Sequence, residues 1–412
     1  MPATETPTAD GRSGTVPWRS STLVAVLAAT LVTPMDVPLV SPALPAIGAA
    51  FGVSPPRAGL FVTGYALPGV LLAPVVGMLA DRVGRRPVLV GCLALFGAAG
   101  TAVAFAETFA VALALRVLQG VAAGSVLSAL AMTVVGDRYD GRRHDAAMGV
   151  TAAALSVATA VYPLVGGALA ARAWNAPFLV YALALPAAGL VWVGLAGVDG
   201  HDARDSRDSP DGDARDPDRG YLRSALRAVP FGRAAVLYGV MFLSFSLLFG
   251  GIYTALPFHL ADVYALPPTA VGLVTSGVLL VTAVVSTQNG RLSARASTTT
   301  LLALGFALFA TGFLGVALAE TLPVLVAALL PFGVGSGLVT PTLFAGLSAL
   351  APDHVRAGVM SLQTTTIGAG QAAGPACFTF LGGLVGYRPT FLGAAGVAAV
   401  CVAALAVLPL DA

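Results

Sequence analysis

Charge is what this chain has least of. Only 10% of its 412 residues are Asp, Glu, Lys or Arg, against roughly 25% in soluble domains. Lysine is missing altogether, and all 22 basic residues are Arg. A net charge of +2 supplies no basic surface for a nucleic acid, and none is expected as a partner. Cysteine is scarce too. Cys92, Cys377 and Cys401 lie in apolar runs without CxxC or metal-ligand spacing, so they read as small packing residues. Four histidines (His144, His201, His259, His354) fall in loops or at helix ends, which argues against a buried His-based active site. With no nucleophile–base set, metal cluster or phosphate loop in view, no enzymatic activity, cofactor or metal is expected.

What the chain does have is apolar length. Hydrophobic residues make up 57%, above the 45–50% or so of soluble domains. Runs of about 20 apolar residues between charged punctuation read as membrane-spanning helices. Twelve are expected: 22–47, 58–80, 87–106, 109–135, 146–170 and 176–197, then 233–259, 268–290, 299–319, 322–350, 357–385 and 389–410. The first lacks a cleavage site and is too long for a signal h-region, so it stays attached. The fold class is therefore all-α integral membrane, inserted in a lipid bilayer.

Arg placement sets the orientation. Arg12 and Arg19 precede the first span; Arg82, Arg85 and Arg86 lie in the 2–3 loop, and Arg138, Arg142 and Arg143 in the 4–5 loop. Arg291, Arg295 and Arg356 lie on the same side, whereas the opposite loops hold only Arg57, Arg172 and Arg388. The positive-inside rule puts both termini in the cytoplasm of a cell membrane. Residues 1–21 form a cytoplasmic tail, 22–197 one bundle, 198–232 a linker and 233–412 a second bundle. The linker is rich in Asp, Arg, Pro and Gly and reads as disordered. Its end places Leu222, Leu226 and Val229 on one face beside Arg223 and Arg227, which fits a short helix on the membrane surface.

The two bundles resemble each other at an offset of 212–213 residues. Ala43-Leu44-Pro45 returns as Ala255-Leu256-Pro257, and "GMLADR" from Gly77 returns as "GRLSAR" from Gly290. Gly120 and Gly124 match Gly333 and Gly337; Met148 and Pro163 match Met360 and Pro375. Duplicated six-helix halves are what alternating-access transporters use, with the substrate site between the halves near the midplane.

Four motifs carry the chemistry. "GMLADRVGRRPVL", with Gly77, Asp81, Arg82, Gly84, Arg85 and Arg86, has one glycine for close helix approach and one for a tight turn. It resembles the 2–3 loop signature of the major facilitator superfamily. That resemblance implies a latch on the cytoplasmic side, with Asp81 facing the start of helix 11 near Gly358; the second copy has Ala294 instead. "ALALRVLQGVAAG" holds Arg116, Gln119 and Gly120 and resembles a pattern seen mainly in proton-coupled members. Gly149, Pro163, Gly166 and Gly167 resemble the helix 5 motif of the twelve-helix drug/proton antiporters, with Ala158 and Tyr162 replacing two of its glycines. Gly370, Gly374 and Pro375 repeat part of it in helix 11. Asp36, Ala43, Leu44 and Pro45 resemble the helix 1 motif of drug/proton antiporters, best known from their fourteen-helix group, with Pro38 and Ser41 where that motif has Thr and Asn.

Asp36 is the costliest of these residues. It sits among Pro34, Pro38, Pro42 and Pro45, whose spacing places the prolines on one helical face and the acid roughly opposite. At ~1.5 Å per residue, Asp36 and Arg116 reach similar depth, which predicts proximity between them. Burial disfavours a carboxylate's charged form and a nearby cation favours it, so such an acid can load and release a proton. Asp36 and Arg116 are therefore the expected proton-coupling pair; a purely structural pairing is the alternative. Tyr238, Phe242, Phe245, Phe249 and Tyr253 align in one stripe on helix 7, suited to flat, apolar or cationic ligands. Tyr65, Gln119, Tyr162, Gln363 and Gln371 are further cavity candidates.

The resemblance implies a monomeric transporter of the major facilitator superfamily, energised by a proton gradient, that exports a small, largely apolar or cationic compound. Import of a small metabolite by symport or uniport is the alternative.

Overall fold

The computed structural model describes residues 16, 18, 20–122, 139, 141–196, 231–350 and 356–407, and these are all-helical, with no strand among them. The end of the expected fourth span, the linker with its surface helix, and most of the first 21 residues lie outside the described residues.

Before the linker run α1 (Ser21–Val32), α2 (Leu44–Phe51), α3 (Pro55–Val83), α4 (Arg85–Ala102), α5 (Phe109–Val121), α6 (Gly141–Ala170), α7 (Ala176–Leu179) and α8 (Ala184–Gly194). After it come α9 (Phe231–Ser246), a π-helical stretch (Leu247–Ala255), α10 (Leu256–Tyr264), α11 (Pro268–Ser286), α12 (Asn289–Ser293), α13 (Thr298–Leu318), α14 (Leu322–Leu350), α15 (Arg356–Val385) and α16 (Tyr387–Val407). Ser20, Thr108 and Ser297 cap the starts of α1, α5 and α13, each side chain accepting an orphan backbone N–H. Between α3 and α4 the chain turns at Gly84, whose φ of 102° favours glycine.

Among the described residues, eight helical stretches are long and apolar enough to cross a membrane, and three shorter apolar ones fall in the expected first and fourth spans. Leu71, Val193, Leu384, Val400 and Val407 are each at least two-thirds exposed. On a water-soluble surface so many large apolar side chains would be a liability; they suit a helix surface set in a bilayer.

In the first half α4 and α1 pack on α8, and α5 on α3; in the second, α13 packs on α14 and α16. The repeat is visible in this packing. Gly120 presses its Cα against the Tyr65 carbonyl, leaving no room for a Cβ. Gly333 does the same to Val278, where a Cβ would lie 2.9 Å from the carbonyl oxygen. Tyr65 and Val278 are themselves offset by the repeat length.

Two helix pairs join the halves, α3 with α15 and α6 with α11. Their close approaches run inward from the end away from the termini, called distal below. Pro56 meets Gly383, Gly59 meets Thr379, and Val70 meets Gly368; Pro268 meets Gly167 and Gly272 meets Pro163. Also at this end, α2 packs on α10. The distal end is thus packed shut.

Candidate functional site

The first span is not the continuous helix on which the proline stripe was placed. After Val32 it tightens into a 3-10 turn (Thr33–Met35), passes through bends at Asp36 and Val37, and forms a second 3-10 turn (Ser41–Ala43) before α2. Each proline lacks an N–H and clashes with the carbonyl four residues earlier. Four of them within twelve residues leave no α-helical ladder to propagate. Short local bonds replace it: Val40 N–H to the Val37 carbonyl at 3.1 Å, Ser41 to Val37 at 2.8 Å, and Ala43 to Val40 at 2.9 Å.

Carbonyls released by this break need donors, because water is absent from hydrocarbon. Side chains from three other helical segments supply them. The Tyr162 hydroxyl on α6 donates to the Leu31 carbonyl at 2.7 Å. The Tyr181 hydroxyl, just after α7, donates to Met35 at 2.6 Å. The Asp36 carbonyl accepts from Arg116 Nη2 at 2.9 Å and from Tyr181 at 3.2 Å.

Arg116 is fully buried inside the first half. Its Nη1 donates to Gln119 Oε1 at 2.6 Å and to the Tyr181 hydroxyl at 3.1 Å, and Nε donates to the Phe61 carbonyl at 3.4 Å. The guanidinium carbon lies 4.7 Å from the Tyr65 ring centroid and 5.9 Å from that of Tyr181. Dipoles and ring faces thus compensate this charge. The predicted neighbourhood of Asp36 and Arg116 exists, but the contact is to the backbone carbonyl. No ion pair joins the two side chains among the described residues. Tyr65 and Gln119, expected to line the cavity, lie instead in the sealed interior of the first half. Tyr181 was missed, since a single phenol in the apolar run after Phe178 carries no sequence signal.

The Asp36 carboxylate points the other way and stays half-buried. Its Oδ1 accepts the Val37 N–H at 2.7 Å, and its Oδ2 accepts Gln371 Nε2 of α15, in the opposite half, at 3.1 Å. One residue on, the Ala372 carbonyl accepts the Thr63 hydroxyl of α3 at 3.0 Å. Tyr253 of the opposite half lies within electrostatic range of Asp36.

The helix 7 aromatics divide at the π-helical stretch. Phe245 and Phe249 stack at 6.2 Å and are half-buried, Phe242 is exposed, and Tyr253 is buried at 5.2 Å from Phe249. Tyr238 donates to the Val359 carbonyl at 3.0 Å, and Gln363 is buried in α15. The glycine motif is also divided. Gly166 abuts the Leu39 carbonyl of the broken helix, Gly167 abuts α11, and Gly370 and Gly374 abut the Phe242 and Ser246 carbonyls; nothing approaches Gly149. Pro163 and Pro375 are buried within α6 and α15. Of the latch residues, Arg82 is exposed. Arg86 lies 4.2 Å from the Trp192 ring and bonds the Trp192 carbonyl at 2.9 Å, stapling α4 to α8. The side chains of Gly77, Asp81, Arg85 and residues 356–358 lie outside the described ones, and the latch with them.

A family model described as Major Facilitator Superfamily matches residues 26–267 and 234–412. The bacillibactin exporter of Bacillus subtilis (strain 168) is 29% identical over 163 residues, 38% of this chain and 40% of that protein. The multidrug transporter protein MdtP of the same organism is 30% identical over 149 residues, 36% and 27% of the two chains. The efflux pump dotC of Dothistroma septosporum is 32% identical over 147 residues, 35% and 25%. The chain matches well under half the length of each of these curated relatives. Among solved structures, a bacterial homologue of the human lysosomal transporter Spinster, inward-facing and unoccupied, superposes with a TM-score of 0.76 at 18% identity, covering 96% of this chain and 98% of that one. The nucleoside transporter NupG gives 0.74 at 13% identity, covering 95% and 100%.

Proposed function

Because the chain belongs to the major facilitator superfamily, a family of multi-pass membrane transporters rather than enzymes, we propose that it is a proton-coupled antiporter that exports a small, largely apolar or cationic compound by alternating access. The carrying observation is the placement of Asp36: a half-buried carboxylate on an unwound helix, touched by a donor from the opposite half. An acid held there feels every change in the fit between the halves. A proton and a substrate that compete for it are exchanged across the membrane. Each proton moving down 100 mV supplies about 2.3 kcal/mol.

Export is favoured by the names of the relatives, an exporter and two efflux or multidrug transporters. In this reading the protein lies in the cell membrane with both termini cytoplasmic, so the distal end faces outside. The stacked Phe245 and Phe249 offer a flat apolar wall to the compound. Arg116 acts through the backbone of the broken helix and carries no proton itself.

Purified protein in proteoliposomes, with ethidium as a probe cation and an imposed pH gradient, tests the reading. Asp36→Asn is expected to lower proton-driven accumulation at least tenfold while leaving downhill ethidium movement. Full proton-driven transport by that variant overturns it.

A further inference from the structure

We infer that the Gln371 amide is a conformation-selective tie on Asp36: it holds the distal end shut when the acid is ionised and the cavity empty, so the empty carrier does not change over without a proton or a substrate. The inference rests on Asp36 being the coupling acid. Both carboxylate oxygens accept N–H donors, one from Val37 in the same helix and one from Gln371 in the opposite half. That is the arrangement an anion fills. A hydrogen bond to an ionised acceptor is about twice as strong as a neutral one, so protonation loosens the cross-half bond and leaves the local one to fix the side chain.

The backbone around Gln371 makes the tie mechanical. Gly370 and Gly374 bring α15 against the Phe242 and Ser246 carbonyls, too close for a side chain, so the α15 turn bearing Gln371 is clasped to its own half. Ala372 is meanwhile bonded to Thr63 of the first half. Separating the first half, with Asp36 and Thr63, from α15 must break both bonds. Only the Gln371 bond has a titratable partner.

The other groups around Asp36 have their own partners. Arg116 and Tyr181 bond the Asp36 carbonyl, and Tyr162 bonds Leu31. From the opposite half Tyr253 lies in electrostatic reach. On α10, the His259 ring lies edge-on to Tyr264 and Phe391, and Asp262 is exposed. The sequence of α11 has no titratable side chain. Among the described residues, Gln371 is the hydrogen-bond donor that the second half brings to the carboxylate.

The test reads the distal opening directly. Spin labels at Ala50→Cys on α2 and Val263→Cys on α10, in full-length protein with Cys92, Cys377 and Cys401 replaced by Ala, report the distance between these elements without any substrate. Gln371→Met keeps the side chain's length and removes the donor. It is expected to raise the open-to-closed ratio about tenfold at alkaline pH, and little at acid pH or in an Asp36→Asn background, where the acceptor is neutral. Gln371→Glu supplies a second variant: it is expected to close the distal end at acid pH, where one carboxyl donates to the other, and to open it at alkaline pH by repulsion. Unchanged distances in Gln371→Met at alkaline pH, or an equal change with Asn at position 36, overturn the tie. If Asp36→Asn keeps full proton-driven ethidium transport, the coupling reading falls; if Asp36→Asn fails in transport while Gln371→Met leaves the distances unchanged, only the tie falls.

Discussion

Residues 33–43 and residues 247–255 occupy matching places in the two halves, and both interrupt the first helix of their half. The first stretch is opened by prolines and held by Arg116, Tyr181 and Tyr162. The second is a π-helix that satisfies itself, with Thr254 donating to the Phe249 carbonyl at 2.8 Å and Gly250 lying against Gly374. The counterparts of Asp36, Arg116 and Tyr162 are Leu248, Leu329 and Gly374. A shared irregularity with unshared fittings separates architecture from function. A weak point in each first helix belongs to the duplicated scaffold, whereas the acid and its clamp were built on one copy.

The hardest way to break that difference is to give the first half its counterpart's residue. Arg116→Leu leaves Gln119 Oε1 without its donor and takes one donor from each of the Asp36 and Phe61 carbonyls in a dry interior. At about 1–3 kcal/mol for the unsatisfied oxygen and about 0.5–1.5 for each of the other lost bonds, the loss is a large share of a typical whole stability of roughly 5–15 kcal/mol. Little monodisperse protein is expected after detergent extraction. A variant with the parent's yield and melting temperature would show that the clamp does not hold the break. Gly166→Ala comes next. Its Cβ would run into the Leu39 carbonyl, a backbone atom that cannot rotate away, and overpacking of this kind costs about 1–3 kcal/mol. Gly149→Ala, in the same motif but facing open space, is expected to raise the melting temperature slightly, since Ala is the better helix former by up to about 1 kcal/mol. Equal effects at the two glycines would erase the distinction between them.

Tyr181→Phe is milder. The ring keeps its stack on Phe178 and its edge against Phe96, and Arg116 still serves the Asp36 carbonyl. The Met35 carbonyl loses its side-chain donor, while Arg116 Nη1 keeps Gln119 as acceptor, so a loss of about 1–2 kcal/mol is expected in thermal unfolding.

Much of this was legible beforehand because it depends on local pattern. Apolar length pointed to an all-helical membrane chain, and the repeat offset paired close approaches such as Gly120 on Tyr65 with Gly333 on Val278. An acid amid prolines marked the site. The rest depends on separations that no local pattern records. Tyr181 reaches Met35 across 146 residues and Gln371 reaches Asp36 across 335. Neither tyrosine nor glutamine announces its partner in an apolar run. The proline stripe was misplaced for a different reason: four prolines at spacings of 4, 4 and 3 share a face only while the helix survives them, and it does not. Arg116 does lie beside Asp36, yet its target is a carbonyl, because prolines free carbonyls as well as bending chains.

Thr254→Val carries the smallest expected effect and tests the comparison from the other side. Valine fills nearly the same space as threonine, so the change deletes one hydroxyl bond to the Phe249 carbonyl and little else. That carbonyl can turn to a neighbouring N–H, because a π-helix and an α-helix differ by one register step in the ladder. A loss of no more than about 1 kcal/mol is expected in thermal unfolding, with the pH dependence of transport unchanged. The first-half break has no such retreat, since a proline has no N–H to offer, and its carbonyls depend on side chains from elsewhere. Should Thr254→Val shift the pH dependence of transport as Asp36 variants do, the π-helix would be part of the coupling machinery, and the two halves would be less unlike than their fittings indicate.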